Sequence, residues 1–179
     1  NLQDGDGTGV YLRKFDSAGV ALTGEVQANT TVADNQASSS LGLDDAGNVV
    51  IVWQSGSYST TDVFGQRFDA NLNPVGDEFQ VNTYTTHDQN APSVAMADDG
   101  NFLVSWVRTD QDGDSRGVYA QRYDTSGNEV GDEFAVNTTT AGNQWRPSAV
   151  ATPTGFAITW DGNGTGDTDG ILMQRFHSG

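Results

Sequence analysis

"VVIVW" (Val49–Trp53), "FLVSW" (Phe102–Trp106) and "FAITW" (Phe156–Trp160) are one phrase written three times, each closing on tryptophan. The tryptophans stand 53 and 54 residues apart (106 − 53 and 160 − 106), a period that marks a repeat architecture. The first run holds no polar residue and the third only Thr159. A strand with one wet face alternates apolar and polar residues, so these strands are expected to be covered on both sides.

Three further segments keep step with the tryptophan runs. Aromatic strands "VYLRKFD", "VFGQRFD", "VYAQRYD" and "ILMQRF" start at Val10, Val63, Val118 and Ile171. "GEVQANT", "GDEFQVNT" and "GDEFAVNT" end a third set near Asn29, Asn82 and Asn137. "ASSSLGLD", "APSVAMAD" and "RPSAVATP" precede each tryptophan run. Asp, Asn and Gly separate the segments, and Asp16, Asp69 and Asp124 are placed to bond the backbone of the following turn. No segment carries a sustained 3.6-residue stripe, so the chain reads as all-β.

Four short strands per cycle, covered on both faces, predict repeated four-stranded antiparallel sheets of the β-propeller type. There are about three blades plus one extra strand, with repeats over approximately 10–62, 63–117 and 118–170 and a partial one over 171–179. The alternative is a three-fold trefoil or prism, which the redundant fourth aromatic strand argues against. The 179 residues are either one repeat domain or a fragment of a larger propeller. Uncovered end blades would be large apolar patches, so the expected partners are other copies of the chain or the remainder of a longer parent.

The formal charge of −16, with 24 acidic against 8 basic residues, repels nucleic acid and anionic membranes. No apolar run approaches the ~20 residues that cross a bilayer, so no membrane insertion is expected. The absence of cysteine excludes a disulfide scaffold and Cys-ligated metal.

Acidic loops recur before the aromatic strands. Calcium takes six to eight oxygens, and alternating carboxylates can supply several of them to one point. Asp110, Asp112 and Asp114 form one candidate set, Asp161, Asn163, Asp167 and Asp169 a second, and Asp4 and Asp6 a shorter third. None completes an EF-hand loop, because Ser115 stands where that loop needs glycine. The second cycle, "QSGSYSTTD", has lost nearly every carboxylate, which favours reading the loops as turns with calcium as a local addition.

Residues that recur once per cycle are packing devices in a stacked repeat. Lys14, Arg67, Arg122 and Arg175, set against Glu25, Glu78 and Glu133, read as an ion pair within each blade. Ligand chemistry belongs to what does not recur. Trp145, Tyr84 and Asn143 lie in inter-cycle connections and are the candidates for glycan contact, the aromatics by stacking on sugar rings.

"PSVAMADDGNFLVSW" and "GVYAQRYDTSGNEVGDEFAVNT" together resemble a repeat of very large secreted bacterial proteins, adhesin-like and RTX-type calcium-dependent surface proteins among them. The segment "SVA" at Ser93–Ala95 with the strand after it is also distantly similar to the FG-GAP blades of integrin-type propellers. The calcium loop of those blades is not carried over, since "MADDGN" is too short for it. The resemblance implies an extracellular, bacterial-surface protein with a structural or adhesive role. A carbohydrate-binding lectin and a carboxylate-based glycoside hydrolase are the alternatives. No nucleophile-and-base constellation is evident, so the chain is expected not to be an enzyme.

Overall fold

The computed structural model describes residues 5–57, 59–109, 115–164 and 167–177. The regular structure among them is β, in four antiparallel sheets that follow one another along the chain. The first sheet has only two strands, β1 (Tyr11–Leu12) and β2 (Val26–Gln27). The second runs in order from β3 (Asn35–Leu43) through β4 (Val49–Gly56) and β5 (Asp62–Phe68) to β6 (Pro74–Gln80). The third repeats it with β7 (Gln89–Met96), β8 (Phe102–Thr109), β9 (Arg116–Tyr123) and β10 (Phe134–Ala135). The fourth has three strands, β11 (Gln144–Thr152), β12 (Gly155–Gly164) and β13 (Asp167–His177). Strands of successive cycles are not woven into one barrel, so the propeller-type reading holds over the trefoil.

Local chemistry explains the meander. Asp16, Asp69 and Asp124 each accept two backbone N–H groups of the turn that follows, at 2.8–2.9 Å. Gly19 and Gly127 take positive φ in that turn. Leu72 does the same at φ 64° and pays with backbone strain for a side chain buried against Trp53 and Phe68. The recurring asparagines tie the third set of segments to the aromatic strands: Asn29, Asn82 and Asn137 accept the N–H of Val10, Val63 and Val118 at 2.7–2.8 Å. That bond requires them to be buried, which accounts for their place in every cycle.

The tryptophan strands β4 and β8 are covered on both faces, whereas β12 packs on the third sheet by one face, which corrects the expectation for the third run. Val49, Ile51 and Trp53 of β4 pack with Val10 and Leu12 of the first sheet, while Val50 and Val52 pack with Val94, Phe102, Val104 and Trp106 of the third. Leu103 of β8 turns the other way, onto Phe156, Ile158 and Trp160 of the fourth sheet. Each fully buried Val, Leu or Ile contributes roughly 1.5–3 kcal/mol, so the sheet-to-sheet interfaces are the core of the protein.

The expected ion pair within each blade is not how the recurring charges are used. Lys14 Nζ donates to the Ala70 carbonyl at 2.8 Å and Arg67 Nη1 to the Thr125 carbonyl at 3.2 Å, each reaching the next sheet. Glu78 Oε2 reaches back to accept from Thr30 N at 2.6 Å and Thr31 N at 3.2 Å. Glu133 Oε2 accepts from Thr83 N at 2.9 Å in the same way, and its Oε1 pairs with the non-recurring Arg108. The charges therefore tie sheets to their neighbours.

Candidate functional site: a cleft on the fourth sheet

The first strand of each large sheet carries a β-bulge at one position. The register shifts between Ala37 and Ser40, between Asn90 and Ser93, and between Trp145 and Ser148. Ser38, Ala91 and Arg146 sit inside these bulges at φ 54°, 50° and 51°. Non-glycine residues avoid that conformation, so three in a row mark a built feature that re-aims the side chains beside it. The residue just before the strained one is Ala37, Asn90 or Trp145, so each sheet presents a different group from the same frame.

On the fourth sheet this frame opens a cleft of about 570 Å³. Asn143, Trp145 and Arg146 line it from β11 and its approach, Asp161 and Asn163 from β12, and Asp169 from β13. Trp145 is 41% exposed. The Arg116 guanidinium lies 4.9 Å from the centroid of its ring, which leaves a large flat surface for a second partner. Arg146 Nη1 donates to Asp161 Oδ2 at 3.3 Å and orients that carboxylate. Gly162 lets β11 and β12 close at φ 147°, where a Cβ would strike the Asn143 carbonyl.

A related groove of about 330 Å³ lies between the second and third sheets at the equivalent place. Asn35, Gln54 and Gly56 form one wall and Asp88 and Asn90 the other. Asp88 Oδ1 accepts from Thr61 N at 3.2 Å and from Thr61 Oγ1 at 3.0 Å. Next along the chain, burial pushes the Asp62 carboxyl above the ordinary aspartate range, and a 2.6 Å bond from Asn82 Nδ2 opposes that push.

Of the glycan-contact candidates, Trp145 and Asn143 meet in the cleft. Tyr84 lies apart from it, on the buried Arg108 guanidinium at 4.8 Å, with Tyr119 also stacked on that group at 4.0 Å. Arg116, Arg146 and Arg108 escaped the sequence reading. The available signal was that none of them recurs in the other cycles although the chain has only 8 basic residues.

The metal candidates divide differently. Asp4, Asp110, Asp112 and Asp114 lie outside the described residues. Asp161, Asn163 and Asp169 share the cleft with an arginine and a tryptophan, Asp167 pairs with Gly164 at the hairpin of β12 and β13, and Asp6 belongs to the approach to β1. Among the described residues no three acidic or histidine side chains gather around one point.

No family model matches the chain, and no curated protein does. Its fold is similar to that of two solved structures. One is an endo-arabinase from Bacteroides thetaiotaomicron VPI-5482, at 15% identity and TM-score 0.55, covering 99% of this chain and 69% of that one. The other is a thermostable family-43 glycoside hydrolase, at 10% identity and TM-score 0.50, covering 94% of this chain and 67% of that one. Such identities carry the fold. They correct the resemblance to adhesin and RTX-type repeats, and the adhesive role loses its support with it. They also correct the expectation of a non-enzyme, since both neighbours are glycoside hydrolases. What led the reading astray is that stacking-type repeats in unrelated proteins meet the same packing demands.

Proposed function

We propose that the chain belongs to a carboxylate-based glycoside hydrolase and that the cleft on the fourth sheet holds its sugar substrate. The observation that carries this is the meeting of Trp145, Asp161 and Asp169 in one cleft on a scaffold shared with glycoside hydrolases. Glycosidic hydrolysis needs two carboxyl groups, one to protonate the leaving oxygen and one to act as base or nucleophile. Asp161, oriented by Arg146, takes the second role and Asp169 donates the proton. Trp145 offers an apolar face to a sugar ring, and Asn143 and Asn163 offer donors and acceptors to its hydroxyls. Arabinan is the first polymer to try because a structural neighbour is an endo-arabinase.

Release of reducing ends from arabinan and other neutral polysaccharides tests the reading. Asp161→Asn or Asp169→Asn should each cost about 10²-fold or more in kcat, as removing a general acid or base does. Trp145→Ala should act mainly on KM. A wild-type chain that turns over no glycan would sink the hydrolase. Trp145 also favours a lectin: binding on a glycan array that Trp145→Ala abolishes, without turnover, would establish that second reading.

A further inference from the structure

The groove of about 330 Å³ between the second and third sheets has the size of a small-ligand site. Its walls belong to two four-stranded sheets that share a buried interface of Val50, Val52, Val94, Val104 and Trp106, which holds them at a fixed separation. Four hydrogen bonds clamp the rim. Gln89 N donates to the Thr61 carbonyl at 2.7 Å, and Asp88 Oδ1 accepts from Thr61 N at 3.2 Å and Thr61 Oγ1 at 3.0 Å. Gln54 Oε1 accepts from Ala91 N at 3.1 Å. A groove fixed in this way before a ligand arrives loses little freedom on binding.

Strand alternation selects the groups that face it. Gln89 is fully buried, so Asp88 and Asn90 on either side of it point the other way and line the groove. The clamp uses one side-chain atom of Asp88 and one of Gln54, which leaves Asp88 Oδ2 and Gln54 Nε2 open. Among the described residues the half-buried Asn90 amide has no hydrogen-bond partner.

The chemistry of these groups selects the ligand. Asn90 offers both a donor and an acceptor, Gln54 Nε2 donates, and Asp88 Oδ2 accepts. A hydroxyl both donates and accepts, so neighbouring hydroxyls of a sugar satisfy the whole set. An anion would meet Asp88 and no basic side chain, and a cation would leave the N–H groups of Gln54 and Asn90 unmatched. The groove also departs from the cleft on the fourth sheet at the position that bears on hydrolysis. Gln54 pairs with Ala37 in the register in which Asp161 pairs with Trp145, so an amide stands in the place of the carboxylate. Asp88 is the one carboxylate among the described residues that line the groove, and glycosidic hydrolysis needs two.

We propose that this groove is a second carbohydrate site, which binds a neutral sugar unit through Asn90, Gln54 and Asp88 and does not cleave it. The site is independent of turnover at the cleft.

Calorimetric titration tests this on the intact chain carrying Trp145→Ala and Asp161→Asn, which removes binding and turnover at the cleft. The probes are the neutral trisaccharides arabinotriose, xylotriose and cellotriose, at least one of which should bind. Adding Asn90→Ala or Gln54→Glu should each weaken that binding about tenfold or more, as the loss of a buried hydrogen bond does. Asn90→Ala removes a side chain that bonds nothing in the protein, so the melting curve should not move. Gln54→Glu keeps an acceptor for Ala91 N and replaces only the open N–H group, which separates ligand contact from the clamp. Trigalacturonic acid, an acidic trisaccharide, should bind about tenfold more weakly than the best neutral probe, because Asp88 repels it. Failure of all three neutral probes to bind overturns the proposal. So does binding that both added substitutions leave unchanged, or an acid that binds as tightly as the neutral probes. Reducing ends released by the wild type report on the cleft separately, so failure of the hydrolase and failure of this site are told apart.

Discussion

The third and fourth sheets carry nearly the same strands and live in different surroundings. "VYAQRYD" in β9 and "ILMQRF" in β13 put apolar residues at the same two positions, fully buried in one sheet and more than half exposed in the other. Burial here is a property of position in the stack. A cycle read alone cannot show whether its apolar face is core or surface, because the covering sheet belongs to the next cycle.

The largest expected difference comes from placing a charge at the paired positions. Val118→Asp should lose about 4 kcal/mol or more, since an unpaired carboxylate would sit between two sheets. Ile171→Asp should stay within about 0.5 kcal/mol when measured on the monomer. Urea midpoints for the pair check this, and equal losses would mean that the fourth sheet is covered within a single chain.

Next in size is the contrast between the two glutamates that reach back to a preceding sheet. Glu133→Ala strands the buried Arg108 and should cost about 3–5 kcal/mol, the usual penalty for breaking a buried pair. Glu78→Ala gives up its bonds at an exposed site and should cost about 1 kcal/mol. Thermal unfolding of both variants separates them. Similar melting temperatures would show that Arg108 is not isolated by the change.

The smallest effect is a matter of sign with pH. Burial raises the Asp62 pKa in the folded state, so the unfolded chain ionises first and stability falls as pH rises through that window. Asp69 and Asp124 are lowered by hydrogen bonds from Asn73 and Asn128, so their contribution is present above the ordinary aspartate pKa and is lost as pH falls through the folded value. Asp62→Asn should therefore gain on the wild type as pH climbs from acid toward neutral, while Asp69→Asn should fall behind over the same climb. Denaturation curves across that range read both slopes, and parallel slopes would refute the assignment.

Much of the fold was legible because the repeat exposed it. Trp53, Trp106 and Trp160 announced the period, and the lack of alternation in Val49–Trp53 announced a strand covered twice; all three tryptophans are buried. The direction of Arg67 and Glu78 was not legible. A repeat specifies that a charge recurs but not whether its partner lies one cycle back, one ahead or in the same cycle. Trp145 was found because it departs from its counterparts Ala37 and Asn90. Tyr84 departs from Thr31 and Thr139 for a different reason, the equally exceptional Arg108 beneath it. Non-recurrence points to something local, and only the neighbours tell a ligand from a packing partner.

The polar ties between sheets have one more consequence. Lys14 and Arg67 hand a donor forward to the following turn, and Glu78 and Glu133 hand an acceptor backward to the preceding loop. At each of these joints one cycle brings half of the contact, and its neighbour brings the other half. Duplicating a whole period in the gene would create no unmatched seam, so arrays of different length are within easy evolutionary reach, whereas an insertion of half a period would leave both new junctions unjoined.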